Sequence, residues 1–163
     1  MNNMFVKGLI LAIIVLVLDQ WSKFYIFNLL DSQNTQVIDI LPFFRLVKVY
    51  NYGVSFGMFN DLAYGKLILS AVASVITIIL GVWLYRVKDW YMAVALGLII
   101  GGAVGNIIDR VSMGAVADFL DFYIGAYHWP AFNVADIAVV VGVGILLLDS
   151  FFKKDDKDEK ADN

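Results

Sequence analysis

Four long apolar runs leave this chain few ways to fold. They cover about residues 5–25, 67–85, 90–108 and 133–150, and each is near the roughly 20 apolar residues that cross a hydrocarbon layer as a helix. Nothing in hydrocarbon hydrogen-bonds to a bare peptide group, so a spanning run must satisfy its own N–H and C=O groups, which a helix does within one segment. Composition agrees: 61% of the 163 residues are hydrophobic and the mean hydropathy is +0.77, against roughly 45–50% apolar residues in soluble domains. The expected architecture is an all-α polytopic membrane protein, a single four-span unit over residues 1–152.

The connections differ in kind. Residues 31–64 hold no long apolar run, and Val37 to Tyr50 is rich in Val, Ile and Phe, broken by Pro42 and carrying Arg45 and Lys48. Short strands of a small extracytoplasmic β-sheet on the membrane surface are expected there. Asn51-Tyr52-Gly53 then supplies residues tolerant of positive φ, followed by Val54-Ser55-Phe56-Gly57, so a turn or a close backbone approach is expected. Residues 110–132 read as an extracytoplasmic surface loop whose aromatic stretch, Tyr123 to Trp129, has the composition of a membrane interface. Trp83, Tyr85, Trp90 and Tyr91 bracket a tight hairpin between the second and third spans, and Trp21 and Trp129 fall near the opposite surface.

The first run carries Lys7 and has the look of a secretory signal, but it ends in Asp19-Gln20-Trp21-Ser22-Lys23 and not in a small-x-small cleavage site. It reads as a retained span. Lys7, Arg86, Lys88 and four tail lysines then share one side, against Lys23, Arg45, Lys48, Lys66 and Arg110 on the other. That seven-to-five bias places both termini in the cytoplasm, and it strengthens if aspartates hold Lys23 and Arg110 as site residues. Residues 153–163 mix four lysines with five acidic residues and are expected to form a disordered cytoplasmic tail.

Chemistry in the body must come from aspartate. Cysteine is absent, His128 is the only histidine and the one glutamate, Glu159, lies in the tail. Disulfides, a thiolate nucleophile and a Cys/His metal cluster are thereby excluded. No metal or other cofactor is expected, and no nucleic-acid partner; His128 reads as an interfacial polar tip. An ionisable residue at membrane depth costs roughly 2.5–3.5 kcal/mol on insertion scales and marks a functional site by default. Two stand out, Asp118 in Val116-Ala117-Asp118-Phe119 and Asp136 in Phe132-Asn133-Val134-Ala135-Asp136.

Around them, Asp19 and Lys23 are four apart with the acid first, and Asn133 and Asp136 share a helical face. Ala93, Gly97, Gly101 and Gly105 recur at intervals of four, spacing that lets helix backbones approach closely in a membrane. They lead into Asn106, Asp109 and Arg110. Two carboxylates within hydrogen-bond reach share one proton, so such a pair offers a base and an acid at once, which hydrolysis of an amide by water requires. Spacing alone also allows Asp118 to cap a helix and Asp136 to pair with a lysine.

The residues resemble the bacterial lipoprotein signal peptidase family, also called signal peptidase II. The likeness rests on Asp19-Gln20-Trp21-Ser22-Lys23, Asn51-Tyr52-Gly53-Val54-Ser55-Phe56-Gly57, Gly101 to Arg110, Val116-Ala117-Asp118-Phe119 and Phe132-Asn133-Val134-Ala135-Asp136, five motifs in order between four spans. The resemblance implies that Asp118 and Asp136 are the catalytic pair of an aspartic endopeptidase. It implies supporting or substrate-binding roles for Asp19, Lys23, Asn51, Gly53, Asn106, Asp109, Arg110 and Asn133. It further implies a substrate, diacylglyceryl-modified prolipoprotein, cut before its lipidated cysteine at the outer face of the bacterial inner membrane. Membrane lipid is then the surrounding partner, and a monomer is expected. A small ion-coupled transporter would also use buried Asp, Arg and Lys, but near the midplane, whereas these aspartates fall near one predicted surface. A membrane assembly factor would use the glycine stripe and leave the aspartates replaceable.

Overall fold

The computed structural model describes residues 3–53 and 65–161, with side chains over 3–53 and 68–151. Its elements run α1 (Asn3–Ser32), β1 (Val37–Leu41), β2 (Phe44–Asn51), α2 (Gly65–Arg86), α3 (Trp90–Met113), β3 (Val116–Ile124), β4 (Tyr127–His128) and α4 (Val134–Ala161). Four helices, Asn3–Ser32, Ile68–Arg86, Trp90–Met113 and Val134–Phe151, are long and apolar enough to cross a membrane. Their outward faces are apolar too: Ile68, Val72, Ile78 and Ile79 of α2 and Val140 and Leu147 of α4 are all exposed. The solvent that suits such faces is hydrocarbon.

Helix α3 is the centre, packing on α1, α2 and α4, and its small residues explain how. A Cβ at Gly97 would meet the Gly8 carbonyl oxygen, and one at Gly101 would stand 2.6 Å from the Ala12 carbonyl oxygen and 2.8 Å from Val15 Cβ. Gly105 backs onto the Asp19 carboxylate in the same way. The expected stripe therefore seats α1 against α3. A second stripe seats α4, with Gly102 against the Ala135 carbonyl and Gly142 of α4 against Ala95 and Ile99. Gly101→Leu is expected to lower the melting temperature by several degrees, as overpacking at a close helix contact does, while activity per folded molecule stays within about twofold. Thermal unfolding in detergent with a parallel rate measurement checks both.

At one end of the bundle, where α1 and α3 finish and α4 begins, the strands form an antiparallel sheet of order β1-β2-β3-β4. The expected strands in Val37 to Tyr50 are present as β1 and β2. The segment expected as a surface loop is instead largely strand. Val116–Ile124 pairs with β2, Asn51 opposite Val116 and Arg45 opposite Asp121. Gly114, at φ 79°, donates its N–H to the Arg110 carbonyl and turns the chain from α3 into β3. The β2–β3 register shifts between Leu46 and Val49, next to Asp118, and such an irregularity re-aims the side chains beside it.

Helix α1, expected to continue through Tyr25 or beyond, runs to Ser32, and α3 buries its polar cluster (Asp19 is 0% and Lys23 5% exposed). One helix limit differs from expectation. Helix α4 continues to Ala161, where disorder was expected from residue 153. The Val54–Gly57 part of the turn motif lies outside the described residues.

Candidate active site

Asp118 is on strand β3 and is 1% exposed; Asp136 is in the first turn of α4 and is half-buried. Asparagine organises both. Asn133 sits just ahead of α4, where its Oδ1 accepts from the Asp136 N–H (3.0 Å) while its own N–H donates to Asp136 Oδ2 (3.3 Å). This is the reciprocal arrangement of a capping box. The remaining Asn133 amide group donates to Asp118 Oδ1 at 2.7 Å, so one side chain touches both aspartates.

Two more amides complete the set. Asn106 of α3 donates to Asp136 Oδ1 at 2.8 Å, and Asn51 at the end of β2 donates to Asp118 Oδ2 at 2.9 Å. Asn51 has no freedom to flip, since its Oδ1 accepts the Gly53 N–H at 2.9 Å. Gly53 holds φ +102°, and a Cβ there would strike the Leu69 side chain, so only glycine suits the turn. Four expected site residues, Asn51, Gly53, Asn106 and Asn133, thus serve the two carboxylates.

Burial dominates the protonation of Asp118 and pushes its pKa up to about 6; the amides of Asn51 and Asn133 oppose the rise, and the nearby Asp136 charge adds to it. Among the described residues no hydrogen bond joins the two carboxylates. They are coupled through Asn133 and through space. Asp118 caps no helix, and Lys23 pairs with other aspartates than Asp136.

Asp19, Lys23 and Asp109 form a buried cluster behind the pair. Lys23 Nζ lies 2.7 Å from both Asp19 Oδ2 and Asp109 Oδ2 and 3.2 Å from Asn106 Oδ1. Of the two cations whose holding by aspartates would strengthen the charge bias, Lys23 is so held and Arg110, among the described residues, is not. Its Nη1 donates to the Asn106 carbonyl at 3.4 Å, and its buried Nε has no partner among the described residues.

Two polar residues escaped the sequence reading. Gln20 donates to Asp109 Oδ1 at 2.9 Å and to Asp19 Oδ2 at 3.2 Å. Asp121, 5% exposed, pairs with Arg45 Nε at 2.6 Å and with His128 Nδ1 at 3.0 Å, tying β2, β3 and β4 together. His128 is therefore a buttress of the sheet as well as an aromatic-rim residue. The signal for Asp121 was the repeated Asp-Phe pair, Asp118-Phe119 and Asp121-Phe122.

Comparison with known proteins converges on one group. The profile of a family described as Signal peptidase (SPase) II matches residues 11–152. A lipoprotein signal peptidase from Vibrio parahaemolyticus is 42% identical over 153 residues, 92% of this chain and 90% of that protein. One from Beijerinckia indica is 42% identical over 147 residues, covering 90% and 88%. Among solved structures, a bacterial membrane enzyme determined by the in meso method superposes with a TM-score of 0.76 at 26% identity, covering 93% of this chain and 91% of that one. A second such structure gives 0.74 at 27% identity, with 88% and 91% covered.

Proposed function

The chain belongs to the signal peptidase II family, a multi-pass bacterial membrane peptidase family, and on that footing we propose that it is an aspartic endopeptidase acting on diacylglyceryl-modified prolipoproteins. The cut falls just before the lipidated cysteine. The observation that carries this reading is the pair itself: two carboxylates from different elements, joined through Asn133, at the sheet end of a four-helix bundle. Both termini lie in the cytoplasm and the site faces the extracytoplasmic surface, so the acyl chains of the substrate stay in the bilayer while its scissile peptide reaches the aspartates. The protein works as a monomer.

The two environments assign the roles. Asp118, whose pKa is raised to about 6, holds a proton and donates it to the peptide carbonyl oxygen. Asp136, the more exposed of the two, serves as the base and takes a proton from water as the water oxygen attacks the carbonyl carbon. The tetrahedral intermediate collapses as the C–N bond breaks, a proton passing to the leaving amine and Asp118 recovering its own from the intermediate's hydroxyl. Asn51, Asn106 and Asn133 keep both carboxylates in place throughout.

The test is incubation of the purified protein, in detergent or lipid, with a diacylglyceryl-modified precursor and with the same precursor unmodified. Cleavage of the modified form alone, leaving the lipidated cysteine as the new N-terminus, is expected. Equal cleavage of both removes the lipid requirement, and cleavage of neither removes the reading.

A further inference from the structure

Behind the catalytic pair the structure repeats one contact twice. The residue immediately before each catalytic aspartate is a buried alanine, Ala117 (1% exposed) and Ala135 (0%). The Ala117 N–H donates to Asp109 Oδ2 at 3.1 Å, and the Ala135 N–H donates to Asp19 Oδ1 at 2.9 Å. The two accepting carboxylates are themselves tied together, by Lys23 Nζ at 2.7 Å from each and by the Gln20 amide, which also donates to the Gly105 carbonyl at 3.3 Å.

We propose that Asp19, Gln20, Lys23 and Asp109 form a positioning frame that sets the separation of Asp118 and Asp136 by holding the peptide N–H just ahead of each. The proposal rests on the peptidase reading above and adds to it the roles of these four residues. Packing alone gives a poor account of the cluster. Taking ions out of water costs several kcal/mol each, and apolar replacements of similar volume are commonly no less stable. What an ionic cluster offers is directed hydrogen bonding at a fixed distance. Asp19 uses it on α4: the Ala135 N–H is one of the first-turn donors that no helix residue can satisfy. A carboxylate from another helix therefore caps α4 and fixes where Asp136 starts. Asp109 uses it on β3, gripping the strand one residue ahead of Asp118. Lys23 and Gln20 couple the two grips, and Lys23 reaches Asn106, the donor to Asp136.

An amide in place of either carboxylate keeps the shape and spoils the bridge. Asn at position 19 presents either an NH2 group to Lys23 and Gln20, which are donors, or one to the Ala135 N–H. The frame then loosens, and displacement of reacting groups by about 1 Å costs about 100-fold in rate.

The experiment measures kcat and KM on the modified precursor for Asp19→Asn, Asp109→Asn, their double variant and Gln20→Met, each normalised to folded protein, with Gly101→Leu as a purely packing reference. The expected result is a kcat 10- to 100-fold lower for each aspartate variant with KM within about twofold. The double variant should lose little more than the worse single one, because both act through one bridge. Gln20→Met removes a neutral bridge and leaves the charges balanced, so it keeps the test open if an aspartate variant does not fold; its kcat should fall about three- to tenfold. Lowered stability with kcat per folded molecule unchanged, as for Gly101→Leu, overturns the proposal. So does a raised KM with kcat kept, which would place the cluster against substrate. In either case an active wild-type protein leaves the peptidase reading standing; a wild-type protein that cleaves neither precursor removes both.

Discussion

Asp118→Asn and Asp136→Asn should each lower kcat by at least about 100-fold, the usual scale of a general acid or base, in a protein that still folds and inserts. On the proposed mechanism each change removes one half of the pair, and among the described residues the neighbouring acids offer no substitute: Asp19 and Asp109 are committed to Lys23, and Asp121 is committed to Arg45 and His128. Asp118→Asn carries a second signature. Because the folded-state pKa is raised to about 6 from 3.8, the folded chain keeps a proton that the unfolded chain has released between those values. Stability therefore falls as pH rises through that window, and the cost persists above it, on the order of 2 kcal/mol with water partly screening the site. Asparagine at 118 carries no such cost but mismatches one of two facing amide donors, a loss of about 1 kcal/mol. The variant should thus be the more stable protein at pH 7 and the less stable one near pH 4. Inactivity with a melting curve that crosses the wild type is the expected pair of results; near-normal turnover in either Asn variant ends the two-aspartate account.

Gly102→Leu should damage fold and chemistry together. A Cβ at Gly102 would run into the Ala135 carbonyl oxygen and stand 3.0 Å from Val139 Cγ2, and neither the backbone of α4 nor a packed valine yields cheaply. Overpacking of this kind costs roughly 1–3 kcal/mol, and more where backbone must move. The contact differs from that of Gly101 in what it moves. Ala135 is the residue whose N–H Asp19 holds, and Asp136 follows it directly, so displacing α4 withdraws Asp136 from the Asn106 amide. A fall in melting temperature above that of Gly101→Leu is expected, with kcat per folded molecule about 100-fold lower. Retained kcat at a lowered melting temperature would show that the α3–α4 contact does not set the place of Asp136.

The spans were legible because lipid imposes one condition, a long apolar run, that a sequence displays directly. The start of α4 was legible as well, since Asn133 three residues before Asp136 is a helix-start signature. Strand β3 was hidden for a physical reason. Val116, Ala117, Asp118 and Phe119 are all buried, so the alternation that identifies a half-exposed strand is missing. The reach of α1 past Asp19, Gln20 and Lys23 was legible, but their burial was not, because only their partners on α3 make them an interior feature. The same reasoning hid Gln20: an uncharged residue between a tryptophan and an aspartate gives no sign that it bridges two carboxylates. Whether Arg110 finds an aspartate was open in the sequence, and Asp109 beside it points to Lys23 and the Ala117 N–H.

The measurement that most directly tests the central claim, one proton shared in function between Asp118 and Asp136, is the pH dependence of kcat/KM on the diacylglyceryl-modified precursor. A coupled pair that works with one proton gives a bell whose two limbs belong to the pair. The alkaline limb should begin near pH 6, where free Asp118 loses its proton. It should lie higher in kcat, which reports the substrate complex, because bound substrate excludes water and further disfavours the charged carboxylate. A rate that rises through one ionisation and then stays flat to high pH contradicts the claim, since a single carboxylate base suffices for that profile.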